Sequence, residues 1–397
     1  MNARTVASIA SIPAAHWNAL DLGGNPCVRH EFLLALEQTG CVGREAGWTP
    51  QHLVIENDAG HLQGAIPLYR KTDSWGEFVF DWSWAKAYAQ AGLRYYPKLV
   101  SMTPFTPTTG PRLLVAAGAD ATNLRRRLAQ ALASHAQHSG LSSAHVLFVN
   151  DDDRAALGRE YLWRKDCQFH WHNRGYGSFD EFLATFRSDK RKKALRERRR
   201  IREMGIEFRT LHGEDMDADL WDIVFGYSQA TFQARGNDHY LNVRFFRQAA
   251  QTLPGAIVVK LAQLRDQPIA MAIFFRGADT LYGRYWGAAA EFHSLHFETC
   301  YYQGIEYCIE QGLARFEPGT QGEHKVPRGF EPRETWSGHW IADPRFRRAI
   351  DHYLDEERSA VDEYIRQVQD HVPFHRGPAP ARLFVEPDGP GGREKMS

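Results

Sequence analysis

The sequence predicts an α/β protein, of the α+β kind, built from two units that each hold a mixed sheet flanked by helices. Its 397 residues exceed what one core usually supports, because single hydrophobic cores stop growing near ~250 to 300 residues. Apolar residues make up 43% and charged residues 24%, as in ordinary globular chains. A pattern of strand, turn, strand, turn and aromatic strand occurs near residues 52–84 and again near 256–287, which indicates an internal duplication.

The first unit is predicted over residues 1–165 and begins with a helix at 29–39. Apolar-rich segments at 52–56 and 61–69 flank the turn residues 57–60, which predicts a β-hairpin. The other elements predicted for this unit are strands at 77–84, 112–115 and 144–150 and a helix at 122–138, where apolar and basic positions alternate at helical spacing.

The second unit is predicted over residues 166–375 and repeats this order. A helix at 298–311 is expected to end at Gly312, because glycine readily takes the left-handed conformation found at helix C-termini. Residues 376–397 are rich in Pro and Gly, which predicts a mobile tail. The other elements predicted for this unit are strands at 256–264, 268–275, 280–287 and 313–317 and a charged helix at 344–372.

Charge and cysteine content narrow the function classes. Forty-eight basic residues balance 48 acidic ones, so attraction to a polyanion must come from local clustering. Five cysteines without a C-x-x-C pair fit neither a disulfide framework nor a zinc ribbon, which favours a reducing compartment. Neither a signal peptide nor an apolar stretch of ~20 residues is recognisable. We therefore expect a cytoplasmic protein without a membrane span. We also expect no metal, because no carboxylate or cysteine pattern completes a site around the pair His293 and His296.

The densest charge feature is the segment 187–202, with ten basic residues against two acidic ones. The preceding Phe179, Phe182, Leu183 and Phe186 have the spacing of a buried stripe, which predicts an amphipathic helix with a cationic face. A solvated surface is one interpretation. The basic excess in a neutral chain favours another, the binding of phosphates of tRNA, coenzyme A or a nucleotide-linked precursor. The phosphate ligands expected on this segment are Lys190, Arg191, Lys193 and Arg198.

A second feature is the segment 316–332, where a predicted strand runs into a glycine-rich loop. Glycines let backbone N–H groups approach an anion or a developing oxyanion closely. Such a loop suits acyl transfer to an amine, which needs a proton acceptor and oxyanion donors. An ordinary loop with internal ion pairs is the alternative. The candidates are Glu317, Glu323 or His324 as the base, Lys325 or backbone amides as oxyanion donors, and Gln321 and Arg328 as substrate ligands.

Aromatic segments supply further substrate-binding candidates. Asp81 and Trp82 lie in the predicted strand 77–84, and aromatic surroundings favour a raised carboxyl pKa, although turn capping or an ion pair is the commoner role of such a residue. Tyr285 lies in the corresponding strand of the second unit. Thr106 and Thr108 belong to a Pro/Gly loop at 103–112, whose hydroxyl groups either line a pocket or serve only as scaffold.

Five segments resemble the FemAB-like predicted N-acyltransferases, a branch of the GNAT superfamily often labelled peptidoglycan-biosynthesis proteins. The resemblance extends from about Asn25 to about Tyr353. It implies two tandem GNAT-like domains and transfer of an acyl or aminoacyl group to an amine acceptor, either a small molecule or a peptide. In chain order the segments are GNPCVRHEFLLALEQTGCVG, EFVFDWSWAKAYAQAGLRYYPKL, PFTPTTGPRLL, RSDKRKKALRERRRI and FEPGTQGEHKVPRGFEP.

The resemblance leaves the donor open. The Fem ligases and leucyl/phenylalanyl-tRNA-protein transferases of the wider group use aminoacyl-tRNA, which would give the cationic helix a function. Acetyl-CoA-dependent GNAT enzymes carry an R/Q-x-x-G-x-G/A loop before a helix, and residues 116–120 match it poorly. We expect no bound cofactor and either acyl-CoA or aminoacyl-tRNA as donor. The alternative is a non-catalytic protein of the same fold that binds tRNA or a cell-wall precursor.

Overall fold

The computed structural model describes residues 2–320 and 322–375, which form two β-sheets with helices packed against them. Within these ranges the strands are β1 (Asn2–Val6), β2 (Trp48–Pro50), β3 (His52–Glu56), β4 (Leu62–Ile66), β5 (Leu68–Lys71), β6 (Lys98–Ser101), β7 (Leu114–Val115), β8 (Ser143–Val146), β9 (Leu162–His172), β10 (Ile206–His212), β11 (Ile257–Leu264), β12 (Gln267–Arg276), β13 (Thr280–Ala288), β14 (Arg315–Glu317) and β15 (Glu331–Ile341).

The helices of the same ranges differ widely in length. A π-helical segment, Glu298–Tyr302, joins two of them, α10 and α11. In chain order they are α1 (Ala14–Asn18), α2 (His30–Gln38), α3 (Trp82–Gln90), α4 (Ala121–His138), α5 (Asp151–Leu157), α6 (Phe179–Ala184), α7 (Ser188–Glu203), α8 (Ala218–Gln233), α9 (Val243–Thr252), α10 (Leu295–Phe297), α11 (Gln303–Glu310) and α12 (Pro344–Gln369). Of the helices described, none has the length and apolar character that crossing a bilayer requires.

The two sheets differ in size and in strand direction. The smaller has the order β1-β3-β4-β7 and is antiparallel throughout. The larger has eleven strands in the order β10-β11-β12-β13-β14-β9-β15-β8-β6-β5-β2. In the larger sheet β6 pairs in parallel with β8, and β13 with β14, while its other ladders are antiparallel. The predicted α/β fold with flanking helices is confirmed; the larger sheet is mixed as predicted, whereas the smaller one is antiparallel.

Strands from the two halves of the chain lie next to one another in the larger sheet. β9 pairs with β14 on one side and with β15 on the other, and β15 also pairs with β8. The predicted boundary between residues 165 and 166 therefore falls inside β9, and the division into units 1–165 and 166–375 stays a prediction. The predicted tail, 376–397, lies outside the described residues.

The largest hydrophobic core joins both halves. Phe32 of α2 packs edge-on against Phe245 of α9 and Phe275 of β12, with ring centroids 5.1 and 5.2 Å apart. All three side chains are buried, and burying a large aromatic side chain contributes roughly 1.5 to 3 kcal/mol. The halves are thus held together by apolar packing as well as by strand pairing.

The strand predicted at 77–84 is wrong, because helix α3 begins at Trp82. The aromatic residues at 80, 82 and 84 alternate as in a strand, but Trp84 and Tyr88 lie four residues apart on one buried helical face. Tyr88 stacks on Phe346 of α12 with ring centroids 3.9 Å apart. Tertiary packing of this stripe therefore selects the helix.

The strand predicted at 61–69 is two strands, β4 and β5, which belong to different sheets and are separated by Pro67. The helix predicted at 298–311 begins with the π-helical segment. Most other elements agree with their predictions apart from their ends. The hairpin β3–β4 and the strands β11, β12 and β13 are present, so the strand, turn, strand part of the predicted duplication is confirmed. Gly312 follows α11 with φ of 65°, as the left-handed conformation at a helix end requires. The basic segment and its apolar stripe form two helices, α6 and α7, rather than one.

Candidate active site

A cavity of about 380 Å³ opens where two parallel strands separate. β13 and β14 pair only over residues 280–282 and 315–317. Beyond these pairs β13 continues to Ala288, whereas β14 ends at Glu317 and the segment after it turns away at Pro318 into the glycine-rich loop. The space between them is lined by residues 283–286 of β13 and by loop residues including Gly319, His324 and Lys325.

The cavity wall is aromatic and cationic. None of the described residues that line it is an aspartate or a glutamate. Part of the wall comes from the first half of the chain, since Phe78 lines the cavity and Phe105 stacks on Tyr240 with ring centroids 5.2 Å apart. Its aromatic residues are Phe78, Phe232, Tyr240, Phe274, Tyr285, Trp286 and Tyr301, and its basic residues are Arg235, Arg284, His296, His324 and Lys325.

Lys325 is a buried amine without a carboxylate partner among the described residues. Only 2% of it is exposed, and its Nζ donates to the carbonyl oxygen of Gly319 at 2.6 Å. The pKa of Lys325 is lowered from 10.5 to about 7, chiefly by burial; the nearby Cys300 opposes this shift and the charge of Arg284 adds to it. A ligand or transition state that brings negative charge here would favour the ammonium form.

His324 and Tyr301 form a hydrogen-bonded pair on the same wall. Tyr301 Oη lies 2.7 Å from His324 Nε2. Burial lowers the pKa of His324, and the charges of Lys325 and Arg328 lower it further. Burial also raises the pKa of Tyr301. Near neutral pH the pair therefore holds a neutral imidazole, which can accept a proton, and a neutral phenol.

Arg328 fixes the loop to helix α7. Its Nη2 and Nε donate to the two carboxylate oxygens of Glu197 at 2.6 and 3.2 Å, and its guanidinium lies 3.4 Å from the ring centroid of Phe297. Gly322 and Gly329 flank the helical turn 323–328 with φ of 103° and 93°. A Cβ atom at Gly329 would lie 2.5 Å from the ring of Phe182, so the loop requires glycine there.

Comparison with known proteins identifies the family. The model of the FemAB-like family, described as peptidoglycan biosynthesis/recognition, matches residues 8–376. The chain belongs to the FemAB-like family. The family resemblance expected from the sequence is thereby confirmed. No curated protein matches the sequence.

Two solved structures share the fold of this FemAB-like protein at low sequence identity. The C-terminal domain (DUF2156) of a putative lysylphosphatidylglycerol synthetase from Agrobacterium fabrum is 9% identical, with a TM-score of 0.52 over 87% of this chain and 97% of that chain. FemX is 11% identical, with a TM-score of 0.51 over 88% of this chain and 100% of the FemX chain. Both similarities concern the fold, and they cover nearly the whole length of each solved chain.

The four predicted catalytic residues of the FemAB-like protein lie in different surroundings. His324 and Lys325 line the cavity. Glu317 is buried beside it and accepts a hydrogen bond from the backbone N–H of Thr109 at 3.3 Å, and burial raises the pKa of Glu317 to about 7. Glu323 is exposed and accepts a hydrogen bond from Tyr364 Oη at 2.9 Å. The geometry thus favours the His324–Tyr301 pair over either carboxylate as proton acceptor.

Most predicted substrate ligands lie away from the cavity. Tyr285 lines it, whereas Gln321 lies outside the described residues. Thr106 and Thr108 are buried and bonded internally, Thr106 to the carbonyl of Pro104 and Thr108 to the side chain of Asn25. Arg328, described above, acts through the loop and does not line the cavity.

Asp81 and Trp82 belong to a different region. Asp81 Oδ2 lies 2.5 Å from both Lys98 Nζ and Tyr95 Oη in a buried polar cluster. Burial alone would raise the pKa of Asp81, but Lys98 and His145 lower it below its ordinary value, so the expected raised pKa is wrong. Trp82 is 47% exposed and stacks on Phe80 with ring centroids 4.4 Å apart.

The predicted phosphate ligands on α7 fall into two groups. Arg191 and Lys193 are exposed, and Lys190 is half-exposed. Arg198 instead binds Glu298 at 3.1 Å and Glu306 at 2.8 Å. Two carboxylates already neutralise Arg198, which leaves the exposed residues as the stronger phosphate candidates of the helix.

Sequence reasoning missed several cavity residues. Arg235 follows α8 in a loop without any motif, and Cys300 and Tyr301 lie in a segment predicted only as part of a helix. His296 is on the wall but was considered only as a metal ligand. Arg284 alone carried a signal, since it interrupts an aromatic strand. Its guanidinium donates to the carbonyl of Phe105 from the other half.

Proposed function

We propose that this FemAB-like protein is an N-acyltransferase that moves an acyl or aminoacyl group from a phosphate-bearing donor to an amine within the cavity. The observation that carries the proposal is Lys325, a buried amine without a carboxylate partner on a wall that has no described acidic residue. An unpaired buried charge is costly. It suits a site where negative charge arrives with the ligand or develops on the carbonyl oxygen in the transition state.

In the proposed reaction the amine nitrogen attacks the donor carbonyl carbon and forms the new C–N bond. The carbonyl electron pair moves to oxygen, which the Lys325 ammonium stabilises. The amine proton passes to Tyr301 Oη as the phenol proton passes to His324 Nε2, across the 2.7 Å hydrogen bond. The oxyanion then returns its electron pair to re-form the carbonyl, and the C–O or C–S bond to the carrier breaks. The carrier leaves with the bonding pair and takes up the proton held on His324 Nε2.

The exposed basic residues of helix α7 are the candidates for holding the phosphates of the donor carrier. The helix contacts the glycine-rich loop, because Glu197 of α7 forms the two hydrogen bonds with Arg328. Phosphate contacts supply much of the affinity of proteins for nucleic acids and fix the bound orientation. For the acceptor, the family description favours an amine of a peptidoglycan peptide or its precursor.

A transfer assay tests the proposal. Purified protein is given acyl-CoA or aminoacyl-tRNA with lysine-containing stem peptides and simple amines, and products are identified by mass spectrometry. We expect Lys325→Met to lose about 10² to 10³-fold in rate, as when an oxyanion donor is removed. His324→Gln should lose roughly 10² to 10⁴-fold, as when a general base is removed.

Lys86→Met serves as the matched control. Lys86 is exposed on α3, away from the cavity, so this variant should transfer at the wild-type rate. Saturable binding of a donor without transfer to any of these amines would contradict the enzyme proposal and support the non-catalytic alternative.

A further inference from the structure

The charge of the cavity wall bears on which donor it admits. Arg235, Arg284 and Lys325 are cationic, and no described carboxylate lines the cavity. Four acidic residues are next in sequence to lining residues, and none of them lines the cavity: Glu77, which pairs with Lys98, Glu323, which accepts a hydrogen bond from Tyr364, and Asp238 and Glu317. Glu298 accepts hydrogen bonds from Arg198 and Gln303, and Glu317 accepts one from Thr109. A cationic group bound in the cavity would therefore meet like charges without a compensating anion.

The Lys325 amine uses only part of its hydrogen-bonding capacity within the protein. Its Nζ can donate three hydrogen bonds as an ammonium group. Among the described residues it donates to a single acceptor, the carbonyl oxygen of Gly319. Buried donors in native proteins normally find acceptors. The remaining N–H groups of Lys325 therefore suit a ligand that brings acceptor oxygens.

The two donor classes differ in the charge next to the reacting carbonyl. An aminoacyl ester carries an α-amino group one carbon away from it, and such groups have pKa values of about 8, so most are ammonium ions near neutral pH. Placing that carbonyl near Lys325 would bring the ammonium among three cationic side chains, which opposes binding. An acyl thioester of coenzyme A has no such group, while the carriers of both donor classes supply phosphate oxygens.

We propose that the cavity selects anionic acyl donors of the acyl-CoA type and excludes aminoacyl esters with a free α-ammonium group. This inference rests on the proposed function and names its donor class. The aromatic wall and the volume of about 380 Å³ suit an acyl chain with its pantetheine arm, because ligand pockets of roughly 300 Å³ and above enclose small molecules. The carrier phosphates would remain near the cavity mouth and α7.

Two matched ligand pairs test the selection by calorimetry at pH 7. Butyryl-CoA and succinyl-CoA differ by one terminal carboxylate. A stable 3′-amide analogue of an alanyl-RNA minihelix, with its amine free or N-acetylated, differs by the ammonium charge. We expect both thioesters to bind saturably and N-acetylation to strengthen minihelix binding at least about tenfold. Tighter binding of succinyl-CoA would show that the cationic wall contacts a carboxylate of the acyl chain. Equal binding of the two thioesters would show that it contacts the phosphates of the carrier instead.

An isosteric substitution adds the missing negative charge to the wall. Asn237 lines the cavity and donates to the carbonyl of Arg235 at 3.1 Å. Asn237→Asp should weaken thioester binding about tenfold and reduce the advantage of the N-acetylated minihelix. Gln90→Glu, which adds the same charge on the exposed face of α3, should change neither affinity. Equal or tighter binding of the free-amine minihelix would overturn the inference.

Failure of the inference is distinguishable from failure of the proposed function. Amine acylation with aminoacyl-tRNA but not with acyl-CoA would leave the N-acyltransferase in place and refute the donor class. Selective thioester binding without transfer to any amine would leave the ligand class in place and refute the enzyme.

Discussion

Replacing Lys325 with methionine should remove most of the pH dependence of donor binding. The fall in the pKa of Lys325 from 10.5 to about 7, at about 1.4 kcal/mol for each tenfold change, means that burial disfavours the ammonium by about 5 kcal/mol. An anion in the cavity recovers part of this cost. A hydrogen bond to a charged group contributes about 1.5 to 3 kcal/mol, which corresponds to about 10- to 150-fold in affinity.

The assay is calorimetric titration of butyryl-CoA between pH 6.5 and pH 9. Wild-type affinity should fall as Lys325 loses its proton, while Lys325→Met should bind weakly and with little pH dependence. The other described groups on the wall do not titrate strongly in this range. The pKa of His296 is lowered to about 4 and that of His324 is also lowered, the pKa of Tyr285 is raised to about 12, and burial raises the pKa of the Cys300 thiol. A wild-type affinity that stays constant over this range would refute the reasoning.

The same substitution, Lys325→Met, should weaken donor binding but stabilise the ligand-free protein. Lys325 has a lower pKa in the folded protein than in the unfolded chain, so between about pH 7 and 10.5 the unfolded state binds more protons. The stability of the ligand-free protein therefore rises with pH across that window. Methionine carries no charge, and Lys325→Met should raise the free energy of unfolding at pH 7 by about 1 to 4 kcal/mol. Destabilisation at pH 7 would show that the amine is not the unpaired charge described here.

Three further outcomes are expected. Arg328→Ala should cost about 3 to 5 kcal/mol in urea unfolding, because Glu197 loses its buried partner, whereas Arg44→Ala on the surface should stay within about 0.5 kcal/mol; equal effects would contradict the role given to Arg328. Lys98→Met should destabilise the protein by about 3 to 5 kcal/mol, since Asp81 and Glu77 lose their shared cation. The donor affinity of the folded variant should stay unchanged, and a weakened affinity would show that Asp81 belongs to the binding site after all. Neutralising the exposed face of α7 should flatten the slope of log affinity against log salt for tRNA by about 0.7 for each phosphate that the helix no longer binds, and an unchanged slope would remove α7 from the interface. The glutamine substitutions for that test are Arg191, Lys192, Lys193 and Arg196.

Local patterns predicted much of the fold because they coincide with the packing that the structure uses. Helix α4 buries one face at helical spacing, and strands β11 and β12 are short apolar runs buried at most positions; single-sequence patterns report both directly. The strand predicted through Asp81 failed because the alternation of rings at 80, 82 and 84 also fits a helix whose buried positions are Trp84 and Tyr88. Only the contact with Phe346, more than 250 residues later, decides between the two.

The candidate site was predictable where chemistry lies within one segment. His324 and Lys325 follow a glycine-rich turn next to a strand, and both line the cavity. Arg235, Tyr301 and Phe78 come from three separate elements, so their convergence depends on the tertiary fold. Asp81 was misplaced because a carboxylate among rings looks reactive in sequence, while the buried Lys98 that neutralises it lies 17 residues away.

The position of β15 has a consequence for how the chain folds during synthesis. β15 fills the gap between β8 and β9, two strands that end some 160 to 190 residues earlier. Chains emerge from the ribosome with the N-terminus first, and domains generally fold as units in that order. Here the larger sheet stays open at β8 and β9 until Glu331–Ile341 has been made, and unpaired edges of this kind invite aggregation. A nascent chain should therefore gain protease resistance late and in a single step, and a fragment that stops at residue 330 should need chaperone protection.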